Sequence, residues 1–392
     1  MKGTPPGAPP RARFYYAAML APRLAALTLL VACAPAPPPG TVFYASGADL
    51  QSINPLLTVH PLAKQVQRHV LFLTLARYDS LLRPEPYLAE AWTWSPDRRT
   101  LTLRLRGDVR WHDGVPTTAR DAAFTLRAAR DPRTGNPRAA DLACLTEVAV
   151  ADARTLRLAF CRPLAGLPDV LTDVAILPEH RLGAVAPESL RVAAFNERPV
   201  GNGPFRFVAH QPGRRWVFEA NAEFPPALGG PPAMGRLVIV VVDEPSTKLA
   251  GLTSGELHVA GILPMHASVV RRVPGLTVMD YPVLLSYGLF WNARRALFQD
   301  GRLRRALTMA LDRRQMVAAY LYGFGEVADG PVPGSHPQAA PVPPIPFDRA
   351  AARALLDSLG WRVGADGLRR RSDESLAFTL ATVGPRTTCW SR

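Results

Sequence analysis

The clearest pattern of apolar and polar positions lies between Leu88 and Arg130, LAEAWTWSPDRRTLTLRLRGDVRWHDGVPTTARDAAFTLRAAR. Thr100 to Arg106 alternates strictly, with Leu101, Leu103 and Leu105 on one face and Thr102, Arg104 and Arg106 on the other. That is the period of a half-buried β-strand. Trp92, Thr93 and Trp94 begin an earlier strand, and Ser95-Pro96-Asp97 supplies the turn between the two. Gly107-Asp108 and His112-Asp113-Gly114 are two further turns. Thr118 followed by Asp121 has the form of a capping box, opening a helix that stops before Pro132.

The same reading extends along the chain. Thr41 to Leu57 is a strand followed by a turn-rich loop, Gly47 to Pro55, and Gln65 to Ala76 is a helix leading to Tyr78-Asp79-Ser80-Leu81. Leu145 to Val150 and Thr155 to Phe160 flank the turn Ala151 to Arg154. Pairing Val150 with Thr155 sets Leu145 opposite Phe160 and Cys144 opposite Cys161, so a cross-strand disulfide is geometrically reasonable, with two free buried thiols as the alternative. Leu237 to Val242 is a continuous apolar run, as in a strand covered on both faces. Lys248 to Gly255 is a short helix. Leu303, Ala306, Leu307, Ala310 and Leu311 recur at helical spacing, and Asp312 with Gln315 caps a second helix ending at Tyr322-Gly323. Asp348 caps a third, Ala350 to Leu359, closed by Gly360.

The amino terminus departs from this globular patterning. Arg11, Arg13 and Arg23 precede an apolar run, Leu24 to Val31, that ends in Leu30-Val31-Ala32-Cys33. The run is too short to span a bilayer and fits a secretory leader. Leu-Val-Ala-Cys looks like a bacterial lipobox, whose Cys33 becomes the lipidated first residue of the mature protein. Met19 is an alternative start, since MLAPRLAALTLLVAC is a complete short leader. Residues 34–40, with Pro35, Pro37, Pro38 and Pro39, form a stiff tether. Export also places the remaining cysteines in a compartment where disulfides persist.

Composition changes the picture in one respect. Formal net charge is +14, which suggests nucleic acid. Yet Lys2, Lys64 and Lys248 are the only lysines, so 43 of the 46 basic residues are arginines, scattered along the chain. That distribution fits a codon-biased composition, and an exported protein meets little nucleic acid; attraction of the tether region to anionic lipid headgroups is the better expectation. Hydrophobic content of 48% and charged content of 20% are those of a globular protein.

Candidate chemistry is sparse. His112 beside Asp113 could be a base with its orienting carboxylate, but neighbours at a strand end point apart, and Gly114 favours a tight turn. Gly201-x-Gly203 runs into Pro204 and a strand, which is a poor phosphate cradle. Gly251-Leu252-Thr253-Ser254-Gly255 has its serine in the wrong place for a hydrolase elbow, and no His-Glu-x-x-His occurs. Cys144, Cys161 and Cys389 form no CxxC pair, and His258, His266 and His336 show no ligand cluster, so neither a metal site nor a cofactor is expected.

Several of these motifs, in order, resemble family 5 extracellular solute-binding proteins of ABC importers. Leu88-Ala89-Glu90, the hairpin after it, Trp111-His112-Asp113-Gly114 and the helix start at Thr118 correspond to the family's marker segment. Pro199 to Phe205 resembles its second signature, a backbone crossing that needs small residues. Gly255-Glu256-Leu257-His258 stands where the family usually has Gly-Glu-apolar-Asp, so His258 is a departure. Leu284 to Asn292 resembles the strand that begins the second lobe, and Leu303 to Pro333 and Gly360-Trp361 with Asp366-Gly367 follow the pattern. The resemblance covers residues 41 to 382.

It implies an α/β, two-lobed periplasmic-binding-protein fold (type II, cluster C-like), with mixed sheets flanked by helices. Residues 41–85 and 187–275 would form the core of lobe I, 86–186 an extra subdomain, and 276–392 lobe II. The implied function is a non-enzymatic, monomeric, lipid-anchored receptor that captures an oligopeptide between its lobes and delivers it to an ABC permease. A nickel or metal-chelate receptor and an inactive fragment are the alternatives. Asn54, Tyr287 and Trp291 are the candidate cleft contacts. Family members run on past this point, and Val383 to Arg392 lacks apolar periodicity, so lobe II is expected to be incomplete, a truncated or frameshifted product.

Overall fold

The computed structural model describes residues 40–283, 285–337 and 339–381, with the backbone alone of 387–390. The expected leader, Cys33 and most of the expected tether lie outside these residues. The fold starts on β1 (Thr41–Ser46), whose neighbours come from far along the chain. Helix α1 (Pro61–Val66) follows, then a small ladder of β2 (Ala76–Tyr78) and β3 (Pro84–Pro86). Next come β4 (Ala89–Trp94), β5 (Thr100–Leu105), helix α2 (Ala119–Arg130), and the hairpin β6 (Leu145–Asp152) and β7 (Thr155–Phe160). A second hairpin, β8 (Phe205–Gln211) and β9 (Arg215–Ala220), leads to β10 (Arg236–Val241), helix α3 (Pro245–Ser254) and β11 (Val259–Ala260).

Two sheets result. The first has the order β11-β1-β10-β9-β8 and is mixed: β1 runs parallel to both β10 and β11, whereas β10, β9 and β8 are antiparallel. The second, β4-β5-β7-β6, is wholly antiparallel. Leu101, Leu103 and Leu105 are fully buried, as their alternation requires, which stabilises the fold by about 2 kcal/mol each. Helix α2 covers β6 and β7 with Ala122, Ala123, Leu126 and Ala129, and Thr118 and Asp121 form the reciprocal capping box at its start. One continuous core runs from Leu50 to Ile239, so residues 86–186 and the five-stranded sheet share a single apolar interior.

Some elements differ from their sequence pattern. The helix expected over Gln65–Ala76 begins earlier, because Pro61 presets its first turn, and passes through a π-turn (Gln67–Leu71) to end at Phe72. It ends there because the Leu71 carbonyl accepts the N–H groups of Asn202 (3.1 Å) and Gly203 (2.9 Å) from another part of the chain. Helix α3 starts three residues before Lys248, at Pro245, where the Glu244 carboxylate accepts the Thr247 N–H at 2.9 Å. In the β6–β7 hairpin Val150 faces Leu156 rather than Thr155, and two bulges restore Leu145 opposite Phe160. Cys144 and Cys161 are joined by a disulfide with a Cα–Cα distance of 5.0 Å. In β10 only Val238 and Ile239 are buried, so its outer residues are half covered rather than enclosed on both faces.

A second, smaller core lies in the carboxy-terminal part. Helices α4 (Gly301–Met309) and α6 (Arg349–Ser358) pack through Leu303, Ala306 and Leu356 against Phe298, Trp361 and Leu376, while α5 (Arg313–Leu321) follows its Asp312 cap. The buried Arg369 side chain donates to Asp357 (2.7 Å) and to the Trp361 carbonyl (2.6 Å). Of the strand expected at Leu284–Asn292, the described residues 285–292 form none. Leu285, Tyr287 and Leu289 keep their period of two, but no described strand lies beside them to take their backbone hydrogen bonds, and Phe290 is 95% exposed. Conversely, the stretch without periodicity contains a strand, Thr387–Trp390, paired antiparallel with Ala377–Leu380. No described helix is long and apolar enough to cross a membrane.

Candidate functional site

The carboxyl end of β1 opens into the loop over residues 47–60, the position where α/β sheets place ligands. Asp49 anchors this loop. Its Oδ1 accepts from the Leu50 N–H (2.8 Å) and the Trp216 Nε1–H (2.6 Å), and its Oδ2 accepts the Gly213 N–H (2.7 Å). Burial would raise its carboxyl, but these donors outweigh that and hold it below the usual carboxylate range. The His210 ring stacks on Trp216 with 3.6 Å between centroids and sets its Nε2 3.6 Å from Asp49 Oδ2. The loop is thereby fastened to the β8–β9 turn.

A recess of about 280 Å³ lies against this anchor. Its apolar wall comes from Leu50, Ile53, Leu57 and the Trp216 face, and its polar rim from Gln51, Ser52, Asn196, Arg191, Glu197 and His210. Arg191 and Glu197, one residue of each charge, are among the residues that line the recess. Its volume lies just below the roughly 300–1,000 Å³ usual for ligand sites.

Asn54 is not among the residues that line this recess and is fully buried. Its Oδ1 accepts the Leu56 N–H (3.0 Å), and its Nδ2 donates to Asn196 Oδ1 (3.0 Å). It therefore positions Asn196, which lines the recess. Tyr287 is 84% exposed and lines no part of the recess. Trp291 packs in the second core, 5.1 Å from Phe298 and 6.1 Å from Phe378 between ring centroids. The three candidate contacts are thus not brought together. Asp49, Arg191, Glu197, His210 and Trp216 were not singled out by sequence; the Asp49–Trp216 bond joins residues 167 positions apart, and neither carries a local signal.

The other chemistry resolves into structural roles. His112 Nε2 faces the Gly203 carbonyl at 3.0 Å, while Asp113 Oδ2 pairs with His180 (2.9 Å) and Arg181 (2.8 Å), so His112 and Asp113 form no dyad. Burial lowers the His112 pKa to about 4. His258 Nδ1 accepts the Phe43 N–H at 3.0 Å and its ring stacks on Phe43, so this departure from aspartate still supplies an acceptor to β1. Ser254 Oγ donates to the Gly251 carbonyl at 3.2 Å. No group of three potential metal ligands occurs among the described residues.

Residues 83–389 match the model of the bacterial extracellular solute-binding proteins, family 5. The chain belongs to this family. Over 281 residues, 70% of the chain, it is 30% identical to a Brucella ovis protein described as an ABC transporter peptide-binding protein. It is 26% identical to the nickel-binding periplasmic protein of Escherichia coli over 377 residues, 91% of this chain and 69% of that one. The structure of the Bacillus subtilis oligopeptide-binding protein AppA, in complex with a nonapeptide, aligns with a TM-score of 0.72 and 25% identity over 86% of this chain and 67% of that one. The chain therefore has the two-lobed type II periplasmic-binding-protein fold. It spans about half the length (51%) of the Brucella relative.

Proposed function

We propose that this chain is the substrate-binding receptor of an ABC importer and that it captures short oligopeptides. The observation that carries the reading is the recess at the carboxyl end of β1, lined by Arg191 and Glu197 together with Leu50, Ile53, Leu57 and Trp216, in a chain whose relatives include a peptide-binding transporter component. In this reading residues 41–85 and 187–275 form the core of the first lobe, 86–186 its extra subdomain, and 276–392 the second lobe. Capture involves no covalent chemistry; selectivity comes from the shape and charge of the cleft as the lobes close. The receptor is a monomer tethered to the outer face of the membrane through lipidated Cys33 and hands its solute to the permease. The Cys144–Cys161 disulfide suits that oxidising location.

The test is thermal stabilisation by a library of di- to pentapeptides. A peptide at about 100 times its Kd stabilises the protein by about 2.7 kcal/mol. Glu197→Gln and Arg191→Gln should each weaken that response. A nickel receptor is the second reading, favoured by the similarity to the Escherichia coli protein. A shift with Ni²⁺ and none with any peptide overturns the peptide assignment; no shift with either leaves the fragment reading standing.

A further inference from the structure

His210 lines the recess beside β1 and is the residue type there whose charge ordinarily changes between about pH 5 and 8. Its ring stacks on Trp216 with 3.6 Å between centroids and 16° between planes, which fixes where its nitrogens point. Nε2 is buried, meets no hydrogen-bond partner among the described residues, and stands 3.6 Å from Asp49 Oδ2. That is just beyond a hydrogen bond, so a small tilt of the ring closes it. No other carboxylate among the described residues pairs with His210. Of the remaining charged neighbours, Arg191 and Glu197 line the same recess, Arg215 Nε donates to Gln211 Oε1 at 3.0 Å, and Arg214 is exposed.

Asp49 in turn sets the near half of the 47–60 loop. Its carboxylate takes the Leu50 N–H from the loop, and the Gly213 N–H and Trp216 Nε1–H from the β8–β9 hairpin, so it joins the two. The far half has its own ties: Gln67 Nε2 donates to the Ser52 carbonyl at 3.0 Å, and Lys64 Nζ to the Pro55 carbonyl at 3.3 Å. Leu50, part of the apolar wall, is therefore placed through Asp49. A charge on the neighbouring ring changes that contact. A neutral imidazole donates from one nitrogen only, whereas the protonated ring donates from both. It then offers Asp49 a charge-assisted bond and lays a cation on the Trp216 face.

We propose that His210 is a positioning residue of this recess: on gaining a proton it closes onto Asp49 Oδ2 and fastens the near half of the loop, so that the recess takes its solute more tightly as the pH falls from about 8 to about 5. The inference rests on the reading of this recess as the solute site. His210 acts through Asp49 and the loop, and the pH dependence it confers is the mark that separates it from a ring that merely fills space beside Trp216. Both side chains of the pair are partly exposed, 20% for His210 and 31% for Asp49, so the effect is a modest one, of the size of a single solvent-screened ion pair.

Hydrogen exchange of the Leu50 and Gly213 amides in the full chain, expressed as protection relative to the intrinsic rate at each pH, reads the fastening without any ligand. In the parent both amides should gain about threefold in protection between about pH 8 and about pH 5. In His210→Phe, which keeps an aromatic ring on Trp216 but cannot titrate, the gain should vanish; His210→Gln takes its place if that variant does not fold. No gain in the parent, or the same gain in the variant, overturns the inference. The second measurement is the Kd of the peptide that stabilises the parent most, taken at the same two pH values. It should fall about threefold toward low pH in the parent and stay level in His210→Phe. An equal change in both proteins overturns the inference as well. If no peptide binds at either pH, the peptide reading fails by itself, and the exchange data still decide whether His210 fastens the loop.

Discussion

Asn202 is 1% exposed, its Oδ1 accepts the Leu73 N–H at 2.9 Å, and its own N–H reaches the Leu71 carbonyl at 3.1 Å. The glycines beside it exist for the same crossing: a Cβ on Gly201 would lie 2.0 Å from the Leu71 oxygen, and one on Gly203 2.7 Å from the Leu71 carbonyl carbon. Both obstacles are backbone, which cannot rotate away. Gly201→Ala should therefore cost about 3 kcal/mol or prevent folding, read as a lower urea midpoint; a midpoint within error of the parent would refute the crossing. His112 makes a second residue-scale prediction. Its folded pKa of about 4 lies below the ordinary 6.5, so the unfolded chain binds the extra proton first. Stability is fully present above pH 6.5 and falls by about 3 kcal/mol as the pH drops toward 4. Asp173 adds a later stage. Burial would raise its carboxyl, but Lys64, Arg138 and Arg68 outweigh that and lower it, so its contribution is lost below its ordinary 3.8. Replacing His112 with Asn should flatten the first stage in urea unfolding between pH 7 and 4 and leave the second; an unchanged slope would show that other groups set it.

Legibility at the level of elements follows how local the cause is. The alternation of β5, the capping box of α2, and the Asp312 and Asp348 caps are written within a few residues of one another, and each element stands where its pattern places it. The π-turn after α1 and the anchoring of the 47–60 loop by Trp216 depend on partners far away in sequence, and no window of the chain carries them. Leu284 to Asn292 shows the converse: a correct period of two does not make a strand when no neighbour completes the ladder. The β6–β7 hairpin yields the prediction proper to this scale. Its disulfide closes a loop with a sequence separation of 17, for which loop entropy gives about 3 kcal/mol. Cys144→Ser with Cys161→Ser should lower stability by that order without changing the far-ultraviolet circular dichroism, because the ladder of six residue pairs remains. Loss of the β signal would mean that the bridge holds the hairpin rather than reinforcing it.

The two largest apolar interiors among the described residues differ greatly in size, one running from Leu50 to Ile239 and one from Phe298 to Leu376, with a small third cluster of Ala45, Leu252 and Leu257. Between them, residues 279 to 290 leave Met279, Tyr281, Tyr287 and Phe290 more than two-thirds exposed. A segment so sparsely packed couples its flanks weakly, so heating should produce two transitions rather than one. The recess beside β1 draws every lining residue from positions 50 to 216, and Leu50, Ile53 and Trp216 among them belong to the larger interior. A peptide bound there should therefore raise the larger body's transition and leave the smaller one in place. Differential scanning calorimetry separates the two, and the near-ultraviolet signal of Trp291, packed on Phe298 and Phe378, reports the smaller body. If peptide moves both transitions together, the solute is touching the second body as well, and exposed Tyr287 becomes the first residue to substitute. A peptide that raises only the smaller transition would remove the β1 recess from consideration and put the binding surface in the second lobe.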